Sequence, residues 1–124
     1  MSMYSVLMVD DEEDVIRAMQ KKIDWESIGF RIMGYAHNGI EALDLAEQEV
    51  PDVVLTDIKM PYMDGLELAH NLKIMYPAVR ILIFSGFDEF EYAKEAIRLE
   101  VEEYILKPVD ADELRRIFTK IKES

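Results

Sequence analysis

Two places in this 124-residue sequence put aspartate directly after a short apolar run. Asp10-Asp11 follows Val6 to Val9, and Asp57 follows Val53 to Thr56. Two further apolar runs end in Ser85 and in Lys107-Pro108. If these ends converge, three carboxylates share one small volume, and each pair at about 4 Å costs roughly 4 kcal/mol at an effective dielectric near 20. Such a cluster calls for a cation. Oxygen donors with no cysteine and no neighbouring histidine suit Mg²⁺, Mn²⁺ or Ca²⁺, and Lys107 can neutralise one further negative charge. Mg²⁺ keeps several waters and is commonly completed by phosphate oxygens, so the set points to phosphoryl transfer with Asp57 as nucleophile. Taken singly, each residue has a plainer role, because acidic pairs often open a solvated first helical turn. Mutually compatible groups at four of five predicted strand ends favour the chemical reading.

The elements that must position these groups are legible from periodicity. Val6 to Val9, Arg31 to Ala36, Val53 to Thr56, Ile81 to Phe84 and Glu103 to Leu106 read as five strands. Helices are expected from about Glu12 to Ile23, Ile40 to Glu49 and Leu66 to Tyr76. A fourth helix would bury Phe90, Ala93, Ala96 and Ile97, and a fifth Leu114, Ile117, Phe118 and Ile121. Strand-then-helix repetition predicts an α/β domain, a doubly wound (βα)₅ fold with a five-stranded parallel sheet. In such open sheets ligands collect beyond the carboxyl ends of the strands, where Asp10, Asp11, Asp57, Ser85 and Lys107 lie. Asn38-Gly39, Pro51-Asp52, Pro61, Gly65 and Tyr76-Pro77 mark the turns. One domain over residues 1–124 is expected, with residues 1–3 an added or disordered extension.

Composition excludes several classes. With no cysteine, disulfides, thiolate catalysis and Cys-based metal sites drop out. The net charge of −12, from 26 acidic and 14 basic residues, opposes direct nucleic-acid binding. No apolar run approaches the roughly 20 residues that span a bilayer, so no membrane association is expected and the cytoplasm is the expected location. His37 and His70 lack ligand spacing and read as structural or surface residues.

The segments Val6 to Glu12, Asp52 to Pro61, Met63 to Gly65, Leu82 to Gly86 and Tyr104 to Pro108 resemble, in order and spacing, the receiver domains of two-component response regulators. That resemblance implies a flavodoxin-like receiver fold with strand order 2-1-3-4-5. It implies Asp57 as phosphoacceptor for a sensor histidine kinase, without other enzymatic activity than self-catalysed phosphorylation and autodephosphorylation. Mg²⁺ or Mn²⁺ would be held by Asp10, Asp11, Asp57 and the main-chain carbonyl of Lys59. Lys107 would pair with phosphoryl oxygens, Ser85 would turn its hydroxyl toward them, and Tyr104 would swing inward. Lys59, Gly86 and Phe87 would modulate the phosphate site, and the Lys107-Pro108 peptide would be cis. The face built from the fourth helix, fifth strand and fifth helix would switch an output domain, with a homodimer forming on phosphorylation.

A narrower resemblance, carried by Ile23 to Phe30 and Asp88 to Ala96, is to receivers that precede an AraC-type helix-turn-helix DNA-binding domain. It implies a C-terminal transcriptional output domain absent from this chain. Those receivers often carry glycine where this sequence has Glu100, which puts the end of the fourth helix in question. Three other readings compete. An aspartyl-phosphate hydrolase would carry a second aspartate at the position of Lys59, and a flavodoxin-like FMN carrier would meet repulsion from Asp10-Asp11-Glu12-Glu13. A receiver-like interaction module that never takes phosphate would not need the intact set.

Overall fold

Strands covered on both faces have to be apolar at nearly every position, and the central strands of this chain are. In the computed structural model, residues 3–86, 90–108 and 110–123 are described, Phe90 and Glu91 by backbone alone. Phe87, Asp88, Glu89 and residues 1 and 2 of the predicted N-terminal extension lie outside the described residues. The elements run β1 (Tyr4–Val9), α1 (Glu13–Lys22), a 3₁₀ turn (Glu26–Ile28), β2 (Phe30–Ala36), α2 (Gly39–Gln48), β3 (Val53–Thr56), α3 (Gly65–Met75), β4 (Arg80–Ser85), α4 (Phe90–Arg98), β5 (Glu103–Leu106) and α5 (Ala111–Glu123). The strands are parallel in the order β2-β1-β3-β4-β5, as expected.

Alternate residues of the central strands feed two separate cores. Val6, Met8, Val53, Leu55, Leu82 and Phe84 join α1 and α5 through Met19, Leu114, Ile117, Phe118 and Ile121. Leu7, Val9, Val54, Ile81 and Ile83 face the opposite way, onto Ala42, Ala46, Leu68, Leu72 and Ala96 of α2, α3 and α4. This period-two division locks the register, since a slip of one residue would exchange every side chain between the cores. One irregularity sits in β2, where Val6 pairs Ile32 but Leu7 pairs Gly34, so Met33 is an extra residue that bends this edge strand.

Three details depart from the sequence reading. The 3₁₀ turn after α1 was not anticipated; it ends on Gly29 at φ 89°, a conformation that favours glycine. In α4, Ala96 is buried as expected, but Ile97 is 78% exposed and faces solvent rather than the core. Glu100, at φ 56°, closes α4 without glycine: its N–H donates to the Ile97 carbonyl and that of Val101 to the Ala96 carbonyl. That is a Schellman cap, held at a cost of about 1 kcal/mol for a left-handed non-glycine residue.

The 3₁₀ turn has a packing role, because it delivers Trp25 to α5. Trp25 is 5% exposed, its ring stands edge-on to Phe118 at 4.8 Å and 89°, and its indole N–H donates to the Met19 carbonyl at 3.2 Å. Truncating it removes a large buried aromatic and leaves a cavity at the foot of the sheet. Trp25→Ala is therefore expected to lower unfolding free energy by about 3–5 kcal/mol, read by urea denaturation followed through circular dichroism.

Candidate functional site

Parallel order brings the ends of β1, β3 and β4 side by side, and the β1–β3 register pairs Val9 with Thr56. Asp10 and Asp57 therefore leave the sheet next to each other, and both are nearly buried, at 3% and 7% exposure. Their backbones continue the ladder: the Asp57 N–H donates to the Val9 carbonyl and the Asp10 N–H to the Ala36 carbonyl. Buried like charges at this spacing need a partner. Lys107, at the end of β5, supplies it from the far side of β4. Its ammonium lies 3.2 Å from Asp10 Oδ2 and 3.4 Å from Asp57 Oδ2, and 4.9 Å from the Phe84 ring centroid.

The other oxygen of each carboxylate is hydrogen-bonded as well. Asp10 Oδ1 accepts the Glu12 N–H at 2.9 Å, and Asp57 Oδ1 accepts the Ile58 N–H at 2.8 Å. With Oδ1 so occupied, Asp57 Oδ2 is the oxygen turned to Lys107. Lys107 is set by its own backbone, whose N–H donates to the Ser85 carbonyl at 2.8 Å, and the following Lys107-Pro108 peptide is cis. Ser85 is fully buried at the end of β4, and Tyr104 is half-buried on β5, paired in register with Ile83. Gly86 is exposed, and a side chain there would reach to 4.0 Å from Lys107 Cδ. Lys59 is exposed, with its ammonium 5.7 Å from the centroid of the Tyr92 ring. His37 bridges Glu13 and Glu41 at 3.3 and 3.1 Å, and His70 is exposed, both as expected.

Among the described residues, the one group of three or more possible metal ligands with atoms all within 4.8 Å of one another is Asp10, Asp11 and Glu12. Glu12 was not among the sequence-derived ligands, although the run Asp10-Asp11-Glu12 carried the signal. Asp57 joins Asp10 through the shared lysine instead. One ammonium against the carboxylates of Asp10, Asp11 and Asp57 leaves an excess of two negative charges. This all-oxygen, anionic donor set fits a hard divalent cation such as Mg²⁺ or Mn²⁺ and suits soft metals poorly.

Gly65, a turn marker and part of the Met63 to Gly65 segment in the sequence, is a packing requirement in the fold. A Cβ on it would lie 1.9 Å from the Asp57 carbonyl oxygen, and its N–H donates to the Ile58 carbonyl at 2.8 Å. Helix α3 can start against the backbone of Asp57 only because this position lacks a side chain.

Comparisons with known proteins agree with this geometry. The family model described as response regulator receiver domain matches residues 6–119. The uncharacterized transcriptional regulatory protein YesN of Bacillus subtilis (strain 168) is 44% identical over 112 residues, covering 90% of this chain and 30% of that protein. The chain spans 30% to 46% of the length of the curated relatives it matches. Among solved structures, the REC domain of AraT, a response regulator from Geobacillus stearothermophilus, superposes with a TM-score of 0.90 at 40% identity, over 97% of this chain and 93% of that one. A chain of the CheX–CheY–BeF₃–Mg²⁺ complex from Borrelia burgdorferi superposes with a TM-score of 0.86 at 25% identity, over 96% of this chain and 89% of that one.

Burial pushes the Asp57 carboxyl above its ordinary value of 3.8; the Ile58 N–H opposes the rise, the Asp10 carboxylate adds to it, and Lys107 opposes it. Without metal, the native state thus holds this proton more tightly than the unfolded chain. The contribution to stability is full below the unfolded value of 3.8 and is lost as pH rises through the raised native one. Asp57→Asn, which cannot ionise, is expected to be more stable than the parent at about pH 7, with the gap narrowing as pH falls toward about 4. Urea titrations in chelator-treated buffer check the sign; a parent more stable than the variant at neutral pH contradicts it.

Proposed function

The chain belongs to the response regulator receiver domain family, and from that premise we propose that it takes a phosphoryl group from a sensor histidine kinase onto Asp57 in a Mg²⁺- or Mn²⁺-dependent reaction. The observation that carries this reading is the shared lysine: one ammonium within 3.4 Å of two nearly buried carboxylates, one of them with a single oxygen left for attack. Asp57 Oδ2 forms the new bond to phosphorus while the bond to the donor's leaving group breaks, its electron pair going to the departing imidazole. Lys107 follows the charge from carboxylate to phosphoryl oxygens, and Ser85 donates its hydroxyl to them. Asp10, Asp11, Asp57 and the Lys59 carbonyl would hold the ion, with Glu12 beside them. When bound, the ion supplies neutralisation of the phosphoryl oxygens.

The reading extends to output. New charge of about −1.5 to −2 at Asp57 draws Ser85 and Lys107, and Tyr104 fills the space vacated at β5. The face of α4, β5 and α5, which exposes Ile97 and Leu106, then favours a homodimer or docking of an attached domain. YesN, a transcriptional regulatory protein longer than this chain, supports a transcriptional output domain for the parent protein. That this domain is C-terminal and of the AraC type rests on the resemblance carried by Ile23 to Phe30 and Asp88 to Ala96. Residues 1–124 form the receiver unit, residues 1–3 an extension, and the cytoplasm, where a transcriptional output would act, its location; no helix among the described residues is long and apolar enough to cross a membrane. The domain does not itself bind nucleic acid and turns over no substrate beyond its own phosphorylation and slow autodephosphorylation.

Acetyl phosphate with Mg²⁺ is expected to add one phosphoryl group by intact mass, and Asp57→Asn to abolish it; equal gain in the variant rejects the assignment. In the same assay, decay of the adduct is expected to speed up more than twofold in Lys59→Asn/Phe87→Ala, since both side chains would hinder in-line attack by water. An unchanged rate rejects that shielding.

Beryllofluoride binding, a phosphoryl mimic, is expected to shift amide exchange in α4, β5 and α5 as well as near Asp57. Changes confined to the Asp57 loop would refute the switch.

A further inference from the structure

The end of β2 is the one strand end that carries none of the proposed chemistry, yet it touches the loop that follows Asp57. Gly39, the first residue of α2, donates its N–H to the Met63 carbonyl at 3.2 Å. A Cβ built on Gly39 would lie 2.6 Å from Met63 Cγ and 2.8 Å from both Met63 Cβ and Sδ. Gly39 has no positive φ, so its backbone does not require glycine. Alanine at a first helical position would ordinarily be favoured over glycine. What excludes a side chain here is the Met63 side chain, which fills the place of the missing methyl.

Met63 is tied on its other side as well. The Asn71 amide of α3 donates to Met63 Sδ at 3.7 Å and to the Glu67 carbonyl at 3.0 Å. The Met63 N–H donates back to the Pro61 carbonyl at 2.8 Å across Tyr62, which stands at φ 69° and is 84% exposed. This three-residue turn through a positive-φ tyrosine is strained by about 1–3 kcal/mol and persists only when its surroundings hold it. Between Asp57 and Gly65 the loop is thus pinned at three points: Gly65 against Asp57 and Ile58, the Tyr62 turn, and Met63 seated on Gly39.

We propose that Gly39 and Met63 form a knob-and-hole clasp by which the β2–α2 turn positions the phosphoacceptor loop. Neither residue touches the reacting atoms. They act through the backbone of Ile58 and Lys59, which carries the N–H bonded to Asp57 Oδ1 and the carbonyl assigned to the metal. The inference rests on the receiver reading for its kinetic consequence. Its structural consequence stands apart: displacing Met63 moves the Ile58 and Lys59 peptide groups in the resting protein.

The test compares the parent with Gly39→Ala, Met63→Ala and the double variant. The added methyl of Gly39→Ala is expected to slow phosphorylation by acetyl phosphate at saturating Mg²⁺ about fivefold to tenfold, and to weaken Mg²⁺ binding measured by calorimetry at least threefold. The Ile58 and Lys59 amide resonances shift in Gly39→Ala, and circular dichroism still reports a folded domain. Met63→Ala alone, which leaves the seat empty, is expected to slow phosphorylation severalfold as well, and an unslowed Met63→Ala also overturns the clasp. In the double variant the methyl of Gly39→Ala fills the vacated space and returns rate, Mg²⁺ affinity and resonances toward the parent, the rate to within about twofold. A purely structural role would lower the melting temperature of Gly39→Ala while leaving the rate and the Mg²⁺ affinity of the folded fraction unchanged. The clasp is overturned if Gly39→Ala behaves as the parent does, or if its defect persists in the double variant. Should the parent itself take no phosphoryl group, the functional reading fails, and the Ile58 and Lys59 resonances alone then decide for or against the clasp.

Discussion

Two nearly buried carboxylates share one ammonium in this fold, and most of the remaining architecture follows from that arrangement. Asp10 and Asp57 are neighbours because β1 and β3 pair in parallel, but Lys107 comes from β5, with β4 in between. The lysine reaches them only because β4 stops at Ser85, whose carbonyl fixes the Lys107 N–H, and because the Phe84 ring lies beside the ammonium. Removing Lys107 from such a group would strand two buried carboxylates, which is far costlier than the net value of the pairing. The sheet order is therefore an electrostatic requirement as much as a packing solution.

The loops that carry the site are held by glycine contacts and by side-chain caps on the helix starts. Gly65 abuts the Asp57 carbonyl, Met63 occupies the space a Gly39 side chain would need, and Asn38 and Asp64 cap α2 and α3 by accepting the Glu41 and Glu67 N–H groups. Gly65 joins the start of α3 to the end of β3, Met63 meets the start of α2, and the two caps close the helix starts themselves. The functional edge of the sheet is thereby stiffened where helices begin, and free N–H groups at those starts are consumed by caps. At the opposite edge, Asp52 accepts the Ser5 N–H and hydroxyl, and Arg80 donates to the Ile121 carbonyl at 2.7 Å, tying β4 to the end of α5.

Where the structure departs from expectation, a local rule is overruled by a neighbour. Ile97 satisfies helical periodicity with Ala93 and Ala96, but of the three only Ala96 is buried in the nine-residue α4, so the stripe that meets the core is narrower than the apolar pattern. Glu100 takes a conformation that favours glycine because two backbone hydrogen bonds hold it there. Trp25 looked like part of a subgroup signature; it is also a wedge between the 3₁₀ turn and Phe118.

The sequence by itself determined the alternation of strands and helices, the two-sided burial of β1, β3 and β4, and the candidate groups at four strand ends. These properties depend on residue type and on periods of two and 3.6, which any short window reveals. Tertiary structure alone decided that Lys107 binds both Asp10 and Asp57, that Glu12 joins the acidic group, and that Gly39 and Gly65 are needed for contacts 24 and eight residues away. A glycine gives the same letter whether it frees a turn or makes room for another backbone. Only the meeting of segments remote in the chain distinguishes the two, because steric exclusion and Coulomb energy depend on distance in space and not on distance along the sequence.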